Sequence, residues 1–366
     1  MNALRCWLVV FLRFARYLLY RVGLTAQPTF MDVRREVKEV VGQIVRRGRP
    51  FRVVGKEHCP MRGPAVFAGN HMRLDDPCFM FIAVSETSDV ILPHAMMRDD
   101  FFEPGLLNSR LIDGNEILQL CGGITIHRDR VTLSQLRPFV RLLRDGESFM
   151  IFPGRTRTRS GLFFEYRDEH GEPGSVGFLI AQAQRGHPNL RVAAVPMARS
   201  YNPVSRRSTL CFGEPLYLPP DSDRARLREL DFQLLERIGS LAEINVPQVL
   251  SAWCYLQCLH GFANQFTLPH LCEVLGKVFQ AIAENPVDPA ARADLAGEIH
   301  QTLKYLCSMG MLEFRRGTIT LYRDAILSTP ELDGHYQDRN PVKYLANQVL
   351  HLDQVLAIIE EAVLTR

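Results

Sequence analysis

Short apolar runs at 51–54, 65–68, 90–92, 124–126, 149–152, 192–197 and 209–212 alternate with stretches at 77–84, 133–145 and 175–185 where apolar residues recur at helical spacing. The short runs do not alternate polar with apolar, which is the pattern of strands buried on both faces. Strands interleaved with helices predict an α/β sheet covered by helices, and 31–46 reads as an amphipathic helix ahead of it. From 223 onward the pattern changes to helices at 224–243, 247–262, 269–284 and 289–309. The last of these, followed by an apolar stretch at 311–314, a turn at 315–317 and another stretch at 318–322, outlines a winged helix. The organisation expected is an N-terminal helix over 1–30, an α/β domain over 31–220, and a mostly helical C-terminal domain over 221–366, winged-helix-like in part.

The segment 4–22 is rich in Leu, Val, Phe, Trp and Tyr but is interrupted by Arg5, Arg13, Arg16 and Arg21. Its longest uncharged stretch, 6–12, falls far short of the about 20 apolar residues a spanning helix needs. Arg5, Arg13 and Arg16 share one stripe of the helix and Trp7, Phe11 and Tyr17 lie outside it, so the segment predicts an interfacial helix. Its arginines could snorkel toward anionic headgroups. A secretory signal is the competing reading, but no small-residue cleavage site follows cleanly. A helix docked on the protein's own core is the plain alternative.

Hydrophobic residues at 46% and charged residues at 23% fit a packed globular chain of 366 residues and exclude a disordered one. Nine cysteines form no CxxC pair and no regular framework, which argues for a reducing setting. Cys254 and Cys258 stand four apart with only His260 nearby, a pattern that fits buried thiols better than zinc. The helix that would read DNA in a winged helix offers His300, Lys304 and Arg292 against Asp294 and Glu298, too little to neutralise phosphates, so no nucleic acid is expected as a partner. Charge is concentrated elsewhere. Between Cys121 and Gly161 eight arginines face three acids, an excess of five against +3 for the whole chain. Arg157 and Arg159 follow the apolar run 149–152, and strand ends are where α/β sheets place ligands. Guanidinium groups bind phosphate oxygens bidentately, so a phosphate-bearing client is expected there.

The most chemically specific segment is Gly69-Asn70-His71-Met72-Arg73-Leu74-Asp75-Asp76-Pro77, directly after the apolar run 65–68. It places a histidine and carboxylates on the loop leaving a buried strand. A neutral imidazole can accept the proton of an attacking hydroxyl while a carboxylate on its other nitrogen fixes the tautomer. Spacing alone does not choose between Asp75 and Asp76. Capping of a helix that starts near Pro77 is the competing role for Asn70 and Asp75.

Three more segments follow in order: Gly122-Gly123-Ile124-Thr125-Ile126-His127-Arg128, Phe152-Pro153-Gly154-Arg155-Thr156-Arg157-Thr158, and Val195-Pro196-Met197-Ala198-Arg199-Ser200-Tyr201. With His71 and Asp76 in His-x4-Asp spacing, the set resembles the four blocks of the glycerolipid acyltransferase family, over roughly 50–215. The resemblance implies a glycerolipid-acyltransferase-like sheet and transfer of a fatty acyl group from acyl-CoA or acyl carrier protein to the hydroxyl of a phosphate-bearing glycerol acceptor. His71 would be the general base and Asp76 its orienting partner. Gly122, Arg128, Arg155, Thr156, Arg157 and Arg159 would bind substrate, with no metal and no cofactor required. The Gly122-Gly123 turn could also stabilise the oxyanion. The setting implied is the cytoplasmic face of a membrane, with the protein bound peripherally. Helical domains after the catalytic core also occur in the glycerol-phosphate branch of the family, which 340–347 resembles. Three positions depart from the pattern: Thr125 stands where an aromatic is usual, and Gly154 and Arg155 stand where the third block has glutamate and glycine. That glutamate is associated with acceptor binding, so its loss favours 1-acylglycerol 3-phosphate, which has one free hydroxyl, over glycerol 3-phosphate, which has two. A non-glycerol lyso-lipid acceptor and a catalytically silent lipid-binding protein are the remaining readings.

Overall fold

The computed structural model describes residues 3–28, 34–47, 50–88, 90–98, 112–127, 131–154, 157–164, 176–330 and 336–365. Helices α1 (Ala3–Arg21) and α2 (Arg34–Arg46) precede β1 (Phe51–Val54) and β2 (Ala65–Gly69). Then follow α3 (Asp76–Thr87), β3 (His94–Arg98), α4 (Gly114–Leu120), β4 (Gly123–Ile126), α5 (Leu133–Arg144), β5 (Phe149–Ile151) and α6 (Val176–Gln184). The sheet is completed by β6 (Ala193–Asn202), β7 (Arg207–Phe212) and β8 (Leu216–Tyr217), with α7 (Arg224–Leu241) after it. The strand order is β1-β7-β6-β2-β5-β3-β4, with β8 beside β6. Strands β6, β2, β5, β3 and β4 run parallel to one another, whereas β7 and β8 are antiparallel to β6.

Both faces of the sheet are covered, as the apolar runs predict. Along β2, Ala65 and Phe67 pack with Phe79 and Ile82 of α3 and Val45 of α2. Val66 and Ala68 face the other way, against Phe139 and Leu143 of α5, Leu179 and Ile180 of α6, and Leu230, Leu234 and Ile238 of α7. Period-two alternation thus distributes one apolar strand between two cores. Helix α7, which the sequence places in the C-terminal domain from 221, belongs to the sheet instead, because one face of it fills the second core. A carboxylate seals that junction: Asp231 of α7 accepts the Gly177 amide at 2.8 Å, and burial pushes its pKa up to about 7.

The run at 90–92 is not a strand. Ile91 and Leu92 are buried, but the Ser88 hydroxyl, which donates to Met61 O, accepts the Ile91 amide and turns the chain, and pairing begins only at His94. Apolar burial without a ladder partner carries the same sequence signature as a strand. Helix 289–309 is two helices, α10 (Pro289–Ala293) and α11 (Leu295–Ser308), preceded by α8 (Val246–Leu259), β9 (Gln265–Thr267) and α9 (Leu268–Ala281). Asp294 divides α10 from α11: its amide closes the first, and its carboxylate caps the second on the Gly297 amide at 2.9 Å. Strands β10 (Leu312–Arg315) and β11 (Thr318–Leu321) form an antiparallel hairpin with β9 on the outer side of β11. Helices α12 (Arg323–Leu327), α13 (Tyr336–Arg339), α14 (Pro341–Asn347) and α15 (Asp353–Leu364) finish the chain. Helices α8, α9, α11, α14 and α15 share a separate hydrophobic core around Trp253, in which Cys254 and Cys258 are buried thiols.

Helix α1 is held at its C-terminal end by Tyr17 and Arg21, and near its start the Trp7 indole donates to Gln43 of α2 at 3.1 Å. Tyr17 is buried, its hydroxyl 3.0 Å from Glu116 of α4, and Arg21 reaches the same carboxylate at 2.9 Å. The apolar residues point outward, with Trp7 50% and Phe11 67% exposed alongside Leu8 and Leu12. No helix among the described residues is long and apolar enough to cross a membrane.

Candidate active site

His71 and Asp76 meet at the C-terminal end of β2, where the chain leaves the sheet and enters α3. Pro77 at the start of α3 costs no hydrogen bond, since the first amides of a helix lack intrahelical partners, and it fixes where the helix begins. This puts Asp76 at the first helical position, with its side chain turned back under the loop. His71 Nδ1 lies 3.1 Å from Asp76 Oδ2, and the same oxygen accepts the Met72 and Arg73 amides, each at 2.6 Å. The other oxygen accepts from Arg199 Nη1 at 2.7 Å. Asp76 is fully buried, and the imidazole ring stacks on Phe152 at 4.3 Å between centroids. A carboxylate that accepts at Nδ1 holds the proton there and leaves Nε2 as the basic nitrogen. Asp76, not Asp75, is therefore the partner of His71.

Asp75 and Arg199 have the supporting roles. Arg199, on β6, is buried and binds both Asp75 and Asp76 through Nη1, each at 2.7 Å, while Nη2 reaches Ser208 Oγ at 3.1 Å. Its guanidinium lies 3.6 Å over the Phe79 ring. Asn70 sets the distance between β2 and β6: its amide nitrogen donates to Arg199 O at 2.9 Å and its oxygen accepts the Arg199 amide at 2.8 Å. Asn70 therefore ties strands together and does not cap α3, and Asp75 makes no side-chain cap bond. Arg199 stands in the fourth block, but sequence reasoning gave it no role. Two carboxylates at the exit of the neighbouring strand demand a buried cation, and a lone arginine in an apolar strand was the signal for it.

The third block lies beside the dyad on the loop after β5. The Thr158 amide donates to His71 O at 2.9 Å. Arg157 lines a cavity with Arg73 and Leu74 next to His71, whereas Arg159 is exposed. The C-terminal unit clamps this loop. Tyr336 N donates to Arg159 O at 3.1 Å, Asn347 donates to Ser160 O at 2.8 Å, and the Tyr344 hydroxyl reaches Met72 O at 3.2 Å. Gly161 has φ +91°, and a Cβ there would meet Tyr344 O at 2.0 Å, so only glycine admits this approach. Tyr305 of α11 lines a neighbouring cavity with Arg73 and Tyr344, its phenol pushed up chiefly by burial and then by Tyr201 and Asp338, with Arg73 pulling the other way.

Gly122 is not brought to this site. The next residue, Gly123, shares a register row with Ala95, Met150 and Phe67, so β4 stands three strands from β2, roughly 14 Å at about 4.8 Å per strand. The Gly122 amide already donates to Gln119 O, and its φ of +91° serves the turn between α4 and β4. The oxyanion role expected of this turn is unsupported for that reason. Arg128, Arg155 and Thr156 lie outside the described residues. No group of three or more metal-binding side chains occurs among the described residues.

A family model described as Acyltransferase matches residues 50–198, the span that carries β1 to β5, the first part of β6, the His71–Asp76 pair and Arg157. The chain carries an acyltransferase domain. The crystal structure of the 1-acyl-sn-glycerophosphate acyltransferase PlsC from Thermotoga maritima is similar over 64% of this chain and 91% of that one, at 17% identity and a TM-score of 0.40. No curated protein matches the sequence. Within the acyltransferase domain the dyad supplies a base held in one tautomer, and the neighbouring Met72 and Thr158, whose amide bonds His71 O, line a cavity that also contains Arg73 and Arg157. Helices α8 to α15 lie beyond the matched span, and α13 and α14 reach back to line the same mouth.

Proposed function

We propose that this acyltransferase moves a fatty acyl group from a thioester, acyl-CoA or acyl carrier protein, to the hydroxyl of a glycerol-phosphate acceptor at a membrane surface. The observation that carries the reading is His71 Nδ1 fixed on a buried carboxylate. Nε2 takes the hydroxyl proton as the oxygen attacks the thioester carbonyl, and the tetrahedral intermediate then expels the thiolate, which recovers that proton from the imidazolium. Asp76 stabilises the imidazolium and no acyl-enzyme forms. Arg157, joined by Arg159, Arg128 and Arg155, accounts for binding of the acceptor phosphate, and Thr156 belongs to the same loop. Both 1-acylglycerol 3-phosphate, which the third block favours, and glycerol 3-phosphate fit this class.

Acyl-CoA and acyl carrier protein thioesters offered with glycerol 3-phosphate, 1-acylglycerol 3-phosphate and an amino-acid-derived lyso-lipid test the reading. Free thiol should appear only with a phosphate-bearing glycerol acceptor. Release with the lyso-lipid alone points to the non-glycerol reading, and no acceptor-dependent release to a silent lipid-binding protein. Arg157→Lys should raise the acceptor KM by roughly 10-fold, with kcat less affected, because the charge remains but the planar fork is lost.

The outward apolar face of α1 supports the membrane surface. Docking on the protein's own core accounts for buried Tyr17 but not for Trp7 and Phe11, which stay 50% and 67% exposed. Trp7→Glu with Phe11→Glu should abolish co-sedimentation with anionic vesicles and leave activity on soluble glycerol 3-phosphate intact. Unchanged co-sedimentation would exclude α1 as the anchor.

A further inference from the structure

The cavity beside His71 holds about 210 Å³, room for a small phosphate ester. One wall belongs to the acyltransferase domain and carries Arg73 and Arg157; the other comes from α13 and carries Gln337 and Asp338. Arg73 is one of the four residues between His71 and Asp76. Its guanidinium lies 4.1 Å over the Tyr201 ring, and its Nε, 3.4 Å from Asp75, is buried without a hydrogen-bond partner among the described residues. The position of α13 is set without any ligand, because Tyr336 bonds the backbone of Arg159 and Asn347, on the following helix, bonds that of Ser160. A carboxylate is thereby fixed at the mouth of a cavity whose other charged groups are arginines.

We infer that Arg73, with Arg157, takes the acceptor's phosphate, and that Asp338 accepts a hydrogen bond from a second, donor group on the same acceptor head. The inference rests on the acyl-transfer reading and adds the C-terminal unit to the acceptor site. A cavity built for a phosphate alone gains nothing from a carboxylate, which repels the anion; an acceptor with both an anion and a donor uses both walls. The third block, 152–158, has Gly154 and offers no carboxylate of its own. Asp338 reaches the same cavity from far along the chain. The donor is a free hydroxyl, as on glycerol 3-phosphate, or an ammonium, as on 1-acylglycerophosphoethanolamine; 1-acylglycerol 3-phosphate has neither beyond the hydroxyl that is acylated.

These three acceptors separate the cases. Asp338 is exposed, so Asp338→Asn leaves the core untouched. The substitution should raise KM by roughly 10-fold or more for acceptors with the second donor, hold KM for 1-acylglycerol 3-phosphate within about twofold, and leave kcat little changed. A shift confined to glycerol 3-phosphate assigns the donor as hydroxyl, and one confined to the ethanolamine lipid assigns it as ammonium. Asp338→Glu should recover part of the loss. Arg73→Gln should raise KM for all three together. Equal shifts in all three acceptors on Asp338→Asn, or none, overturn the assignment. Equilibrium dialysis of labelled glycerol 3-phosphate and of the ethanolamine lipid against the full chain and its Asp338→Asn variant reads the cavity without turnover. A loss of binding there, in a protein that acylates nothing, would preserve the cavity assignment while ending the acyl-transfer reading; unchanged binding of both would end the cavity assignment itself.

Discussion

Replacing His71 by alanine lowers turnover by roughly 10²–10⁴-fold, the range of a lost general base, with the denaturation midpoint close to that of the parent chain. The side chain makes one hydrogen bond and one ring stack, so its removal leaves no buried charge unpaired on its own account. Asp76→Asn should be comparably damaging to turnover for a geometric reason. Asp76 accepts on both oxygens, from two backbone amides and His71 on one and from Arg199 on the other. An amide nitrogen placed at either position faces N–H groups, and the ring loses the acceptor that fixes its tautomer. Asp75→Asn should cost only a few-fold, since Asp75 does not touch the imidazole. Acyl-transfer rates measured with folding monitored by circular dichroism check all three. Equal losses from Asp75→Asn and Asp76→Asn, both with lowered midpoints, would reassign the carboxylates to scaffolding.

Arg199→Met has the largest expected effect on stability. The guanidinium is the buried cation shared by Asp75 and Asp76, and without it Asp76 remains in the interior with its counter-charge gone. Breaking a buried pair by removing one partner costs about 3–5 kcal/mol, because the remaining charge is left uncompensated. A fall of roughly 5–15 °C in the denaturation temperature is expected, with turnover reduced as Asp76 loses its anchor. Arg199→Lys keeps the charge but cannot span Asp75, Asp76 and Ser208 together, so it should recover only part of the stability. Calorimetry of the three proteins decides it. A midpoint unchanged in Arg199→Met would show that the dyad does not depend on this cation.

Much of the acyltransferase domain was legible in the chain because its information is local. An apolar run too short for a helix, followed by a turn and a capped amphipathic stretch, reports a buried strand and its crossover wherever the neighbours lie. Hence β1, β2, β4 to β7 and α2, α3, α5 and α6 follow from periodicity alone. The loop after β2 was legible for the same reason: histidine and carboxylate sit within five residues on one loop, and Pro77 fixes the helix that turns Asp76 back under it. That the third-block loop follows an apolar strand, β5, was legible in the same way.

Tertiary structure decided the rest, wherever partners come from distant segments. Asp76 was separated from Asp75 by the bonds that each side chain makes, which spacing does not encode. Arg199 became part of the site because β6 lies beside β2 and Asn70 bridges them. Gly122 was removed from it because β4 is three strands away. The strand expected at 90–92 failed because burial and pairing give the same apolar pattern, and only the presence of a ladder partner tells them apart. Helix α7 joined the sheet because an amphipathic face does not state which core it will fill. Asp338 reached the cavity lined by Arg73 and Arg157 through the docking of α13 and α14 on the third block, a contact between segments separated by more than a hundred residues. Periodicity and capping act over a few residues and can be read along the chain; charge compensation and cavity walls depend on which surfaces meet, and the folded chain alone settles that.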